Sequence, residues 1–116
     1  MTLKYADLTP TEKRFVCNGC GAKGRGAWVP DFMFTASCDH HDFNYWRGGN
    51  EAAREKADRE FYEAMKRDVR RLSWYRRPLA RFLAWRYYRA VRRWGRSAFF
   101  YGQPKGIAEL EKEMSL

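Results

Sequence analysis

The sequence predicts an all-α fold, a small helical domain with two long antiparallel helices, a glycine-rich loop and an additional basic C-terminal helix. Three observations predict it. Stretches 32–46, 51–73 and 79–94 lack internal glycine, and the second has Ala53, Ala57, Phe61, Ala64 and Val69 near helical spacing. Glycine and proline punctuate the chain between them, at 18–31, at Gly48-Gly49, at Pro78 and at Gly95. No pair of alternating apolar runs reads as a strand hairpin.

Each element has a local reason. Thr9-Pro10-Thr11-Glu12 reads as a helix start: a threonine cap, a proline at the first helical position and a glutamate three residues after the cap. This helix is short and ends near Cys17. Gly19, Gly21, Gly24 and Gly26 crowd a segment closed by Pro30, a density that a helix cannot hold, so 18–31 is a loop. A helix over 32–46 ends at Gly48-Gly49. Asn50 caps the next, about 51–73. Pro78 interrupts, a further helix runs about 79–94, and Ile107 to Met114 forms a last short one.

With 116 residues, one domain is expected. Its catalytic core would span about 8–75, followed by a basic, aromatic helical extension over about 76–116. No run is long and apolar enough for a transmembrane helix. Residues 1–16 lack the apolar stretch of a signal peptide. Either the chain stays inside the cell or a leader has been removed. Three cysteines exclude a disulfide-dense mini-protein and leave at least one thiol over.

The net charge is +9 and the pI about 9.8, so polyanions are the expected partners, either nucleic acid or an anionic membrane. The charge is concentrated. Between Lys66 and Arg96 there are twelve basic residues and one acid, Asp68, interleaved with Trp74, Tyr75, Phe82, Trp85, Tyr87, Tyr88 and Trp94. On a helix, Leu79, Phe82, Leu83, Arg86, Tyr87 and Ala90 form one face, expected to pack inward. Arg81, Arg89, Arg92 and Arg96 lie away from it. Arginine with tryptophan and tyrosine suits a membrane interface. Trp74, Arg76, Arg77, Arg81, Trp85, Arg89 and Arg92 are therefore expected to meet lipid. Phosphate contacts with base stacking on nucleic acid are the competing reading.

The chemistry is concentrated in 37–45. On a helix, Cys38, His41, Asp42 and Tyr45 share one face at spacings of three and four. If that helix packs antiparallel to the next across Gly48-Gly49, Asp58 reaches His41 and makes the base–orienter pair of acid–base catalysis. Asp42 then remains for a cation. With the carbonyls of the glycine loop it offers the oxygen ligands that a hard cation such as calcium prefers. Zinc is the alternative, because Cys17-x-x-Cys20 with Cys38, His40 and His41 has ligand types and spacing for it. A phosphate loop is disfavoured, since no Gly-Lys-Ser/Thr ending is present.

Cys38-Asp39-His40-His41-Asp42-Phe43-Asn44-Tyr45 resembles the C-x-x-H-D-x-x-Y motif of secreted phospholipases A2, and its phenylalanine is similar to the bacterial and fungal branch. The segment 17–24 resembles that family's calcium loop, and Asp58-Arg59-Glu60-Phe61 its third element. The resemblance covers about 15–66. It implies calcium-dependent hydrolysis of the sn-2 ester of glycerophospholipids at a membrane interface. His41 would activate water, Asp58 would fix the imidazole, and Tyr45 would bond Asp58. Asp42 and the carbonyls of Gly19, Gly21 and Lys23 would hold Ca2+, and the Gly21 amide would add a donor to the oxyanion site. Cys20 and Cys38 would form a disulfide, leaving Cys17 over. Such a disulfide implies an oxidising compartment and an exported role. Lys23 stands where the family usually has a small residue. The rival functions are a catalytically silent lipid- or protein-binding module and a basic nucleic-acid-binding helical protein. A monomer is expected.

Overall fold

The computed structural model describes residues 3–17 and 34–116, and among them the chain is helical, with five α-helices. These are α1 (Pro10–Val16), α2 (Thr35–Arg47), α3 (Glu51–Arg70), α4 (Arg77–Trp94) and α5 (Ile107–Met114), with 3-10 turns at Tyr5–Asp7 and Gly95–Ser97. The anticipated caps form. The Thr9 hydroxyl accepts from the Glu12 amide at 3.2 Å, while the Glu12 carboxylate accepts from the Thr9 amide at 2.8 Å. The Asn50 side chain accepts from the Ala53 amide at 2.9 Å.

Antiparallel α2 and α3 are joined by Gly48-Gly49-Asn50. Gly48 has φ +80° and lies against the Phe100 carbonyl, where a Cβ would collide. Only glycine meets both demands. Further along the pair, the Ser37 hydroxyl donates to Asp68 Oδ2 at 2.8 Å. α4 then returns along α3, with Tyr62 stacked on Tyr88 at 4.8 Å between ring centroids. α3 ends at Arg70, earlier than the expected 73, and the Arg77 guanidinium donates to the carbonyls of Leu72 and Arg70 just past that end. Pro78 does not break α4 but sits in its first turn, where a missing N–H costs nothing.

The main core lies between α2, α3 and α4. Phe34, Cys38, Phe61, Met65, Val69, Ala80 and Ala84 are buried there, with Leu83, Tyr87 and Val91 packed against them. Of the face expected to pack inward, Leu83 and Tyr87 do so and Ala90 is half-buried, whereas Leu79, Phe82 and Arg86 are exposed. Leu79 is 64 % exposed and Phe82 54 %. The fully buried positions of α4 are the small Ala80 and Ala84, and Leu79 and Phe82 lie off that face. A second core holds Leu8, Val16, Phe43 and Leu110, which docks α1 and α5 on the outer side of α2.

The segment after α4 is a strap. Amides of Phe100 and Lys105 donate to the carbonyls of Tyr45 (3.2 Å) and Arg47 (2.8 Å), acceptors that the end of α2 leaves without helical partners. Gly49 and Tyr101 form an isolated parallel bridge there. Among the described residues, no helix is long and apolar enough to cross a membrane.

Candidate active site

One buried carboxylate organises the interior between α2, α3 and α4. Asp58 on α3 is fully buried, and burial alone raises the pKa of a carboxyl. Its surroundings outweigh that. His41 Nε2 lies 2.8 Å from Oδ1, and the Tyr45 hydroxyl donates to the same oxygen at 2.5 Å. Arg92 Nη1 donates to Oδ2 at 2.7 Å. The net result holds Asp58 below its ordinary 3.8, burial being opposed by the bonds from His41, Tyr45 and Arg92. Because an ionised carboxylate only accepts, Nε2 of His41 is the donor in this contact.

The imidazole is held by packing as well. It stacks on Phe61 at 4.4 Å between centroids and leans on Tyr45 at 4.2 Å. The Tyr45 phenol is pushed well above its usual range, first by burial and then by its bond to Asp58, so it stays a donor. Its hydroxyl lies against Gly95, where any Cβ would collide with it. The other edge of the ring meets Phe99 of the strap at 5.1 Å.

Two arginines complete the network, and sequence reasoning read neither as part of it. Arg54 is 1 % exposed. It makes a forked pair with Glu51 (2.9 Å to each oxygen), donates to the Val91 carbonyl at 3.1 Å and lies 3.5 Å from Asp58 Oδ2. Arg92 also lies 3.6 Å from Glu51, whose Oε1 accepts from the Tyr101 hydroxyl at 2.6 Å. Two carboxylates thus face two guanidiniums, and the cluster is neutral when His41 is neutral. The spacing of Arg54, four residues before Asp58, was the available signal. Arg92, a whole helix away, carried none.

His41 also borders a cleft of about 620 Å³ between α2 and α3, lined among the described residues by Ser37, His40, Asn44, Phe61 and Arg67 in particular. A buried base–carboxylate pair at the wall of an open cleft can take a proton from a bound water or substrate and store the charge.

A family model described as prokaryotic phospholipase A2 matches residues 3–95. The chain belongs to the prokaryotic phospholipase A2 family. As a phospholipase A2-type protein it falls among carboxylic ester hydrolases. No curated protein and no solved structure gives a significant match. The match reaches well beyond the 15–66 segment where the motifs lie and takes in the whole of α4, which supplies Arg92.

The remaining expected site residues of this phospholipase A2 divide in three. Gly19, Cys20, Gly21 and Lys23 lie outside the described residues. Asp42 is half-buried on α2, one turn from Cys38. It stands close enough to Cys17 to help push that thiol up to about 12, after burial and Asp39. Its carboxylate thus lies toward Cys17, the residue just ahead of the glycine segment, and a carboxylate is an oxygen ligand of the kind that calcium prefers. Among the described residues, Cys17, Cys38, His40 and His41 do not come together as a zinc set, and Cys20 lies outside them. Cys17 is a free thiol donating to the Asp39 carbonyl at 3.3 Å, His40 packs on Tyr5 at 4.1 Å, and His41 is committed to Asp58.

Of the residues expected to meet lipid, Trp74, Arg76, Arg81, Trp85 and Arg89 are exposed. Arg77 and Arg92 are half-buried and engaged within the fold. Arg77 is occupied with the carbonyls beyond α3, and Arg92 with Asp58. The exposed face of α4 carries Leu79, Phe82 and Trp85, with Arg86 over Phe82 and Arg89 over Trp85. Arg76 lies over Tyr75 and Arg93 over Trp94. Rings and guanidiniums together form a surface suited to headgroup depth.

Proposed function

We propose that this phospholipase A2 family member hydrolyses the sn-2 ester of glycerophospholipids at an anionic membrane surface in a calcium-dependent reaction. The observation that carries the reading is the 2.8 Å contact between His41 Nε2 and Asp58 Oδ1 at the cleft wall. It leaves the lone pair of Nδ1 as the base. In the proposed step, Nδ1 takes a proton from water as the water oxygen attacks the ester carbonyl carbon. Asp58 stabilises the imidazolium so formed. When the tetrahedral intermediate collapses, the same proton passes to the departing glycerol oxygen, giving a fatty acid and a lysophospholipid. Tyr45 holds the carboxylate throughout.

Asp42 and the carbonyls of Gly19, Gly21 and Lys23 are the proposed calcium ligands. Calcium, when bound, supplies positive charge at the ester carbonyl oxygen as negative charge develops there. We assign the disulfide to Cys20 and Cys38. Cys17 is a free thiol whereas the sulfur of Cys38 is not, which supports that pairing over the others. Docking is assigned to Trp74, Arg76, Arg81, Trp85 and Arg89, with Leu79 and Phe82 added. We treat the 116 residues as one domain and count α4 in the catalytic core, since it supplies Arg92.

Mixed vesicles of phosphatidylglycerol and phosphatidylcholine, incubated with the chain in calcium or in chelator, test this directly. Product masses should show lysophospholipid retaining its sn-1 acyl chain, in calcium only. Equal release in chelator removes the metal from the account, and no release in calcium removes the esterase.

A further inference from the structure

Reaching across from α4, Arg92 gives Asp58 its shortest contact on the oxygen that faces away from the imidazole. A carboxylate with one oxygen committed to His41 and Tyr45 can still rotate about its Cβ–Cγ bond unless the other oxygen is held. Oδ2 has two neighbours. Arg54 Nη1 stands at 3.5 Å, a long contact, and that guanidinium is already spent on Glu51 and the Val91 carbonyl. Arg92 Nη1 stands at 2.7 Å, the length of a charge-assisted bond. Its other terminal nitrogen, Nη2, leans toward Glu51 at 3.6 Å. One terminal nitrogen is thus bonded to Asp58 while the other stays near Glu51, which holds the cation against the far oxygen of the carboxylate.

From this geometry, and resting on the reading of His41 and Asp58 as base and orienter, we infer that Arg92 is a positioning residue for the reaction. It pins Asp58 Oδ2 so that Oδ1 stays aimed at His41 Nε2, and Arg54 stabilises the charge without setting the angle. Arg92 is not among the residues that line the cleft. It acts through Asp58 alone, at one remove from the imidazole, and places the C-terminal half of α4 within the machinery rather than on the docking surface.

Two readouts separate positioning from a merely structural contribution to the fold. The first is steady-state hydrolysis of phosphatidylglycerol–phosphatidylcholine vesicles in calcium, measured well below the melting temperature of each variant. Arg92→Met should lower kcat roughly 10- to 100-fold, with KM unchanged within about twofold, because an orienting error costs rate rather than binding. Arg92→Lys, which keeps the charge, should stay within about tenfold of the unsubstituted chain. The second readout needs neither calcium nor substrate. The proton between His41 Nε2 and Asp58 Oδ1 should give a low-field, slowly exchanging NMR signal in the unsubstituted chain and in Arg92→Lys, and should be lost or broadened in Arg92→Met. If Arg92→Met does not fold, the neutral but polar Arg92→Gln takes its place in both measurements.

A lowered melting temperature with full kcat and an intact low-field proton would overturn the inference, as would equal loss in the Met and Lys variants. Failure of the unsubstituted chain to hydrolyse any vesicle would count against the proposed function alone. The proton signal would then still decide whether Arg92 sets the Asp58 geometry.

Discussion

Replacing Asp58 by Asn keeps the shape of the side chain and removes its charge. In the native network the carboxylates of Asp58 and Glu51 balance the guanidiniums of Arg54 and Arg92, and the substitution leaves that buried cluster at +1. An asparagine also turns one acceptor into a donor. Whichever way the amide lies, its nitrogen meets donors, either His41 Nε2–H and the Tyr45 hydroxyl or the two arginines. Breaking a buried pair by removing one partner costs about 3–5 kcal/mol. The lower end applies here, because Arg92 is 28 % exposed and keeps Glu51 nearby. A loss of about 3 kcal/mol should leave the domain folded, since domains of this size are stable by roughly 6–17 kcal/mol. With a urea dependence of about 1–3 kcal/mol per molar, the midpoint should fall by roughly 1–3 M at pH 7.

The same variant has a pH signature. Asp58 is held below its ordinary 3.8 in the fold, so at neutral pH the folded state gains stability that the unfolded state lacks. That gain is present above the ordinary value and disappears as pH falls through the lower folded one. The gap between the unsubstituted chain and Asp58→Asn should accordingly be widest near neutrality and narrow below pH 3.8. Urea unfolding followed by circular dichroism at several pH values measures it. A gap under about 1 kcal/mol at pH 7, or one that does not close in acid, would refute the assignment of Asp58 as the charged hub.

Other perturbations test other parts of the site. Gly95→Ala should press a methyl group onto the Tyr45 hydroxyl and cost about 1–3 kcal/mol in urea unfolding, with a loss of turnover that an exposed substitution such as Ser97→Ala does not show. Phe82→Ala with Trp85→Ala should weaken binding to anionic vesicles at least tenfold in a sedimentation assay, while hydrolysis of a dispersed short-chain substrate stays within about twofold. Asp42→Asn should reduce calcium affinity more than tenfold by isothermal titration, leaving the circular dichroism spectrum unchanged.

How far this was legible in the sequence depends on range. Signals confined to one turn survived. The Thr9–Glu12 box, the Asn50 cap and the bounds of α5 follow from chemistry that neighbours in sequence decide. The meeting of His41 with Asp58 was also accessible, because a two-glycine turn between helices fixes which faces oppose each other. The α4 face was read correctly at Leu83 and Tyr87 and misread at Leu79 and Phe82, because a hydrophobic pattern weights large side chains, whereas the most buried positions are the small Ala80 and Ala84. Arg92 and Arg77 looked like surface charge because their partners are a carboxylate and carbonyls that only the tertiary fold brings near. The strap over 99–105 joins α2 by main-chain bonds, which leave no mark on residue type.

The central claim is that the imidazole poised by Asp58 performs the proton transfer. His41→Gln keeps a donor of similar length at the buried position while abolishing the base. Fatty acid released per minute from calcium-loaded phosphatidylglycerol–phosphatidylcholine vesicles, compared between this variant and the unsubstituted chain at equal bound protein, measures the claim most directly. Release should fall at least a thousandfold while vesicle binding and the helical spectrum persist. Release by the glutamine variant within a few fold of the original would show that the proton goes elsewhere.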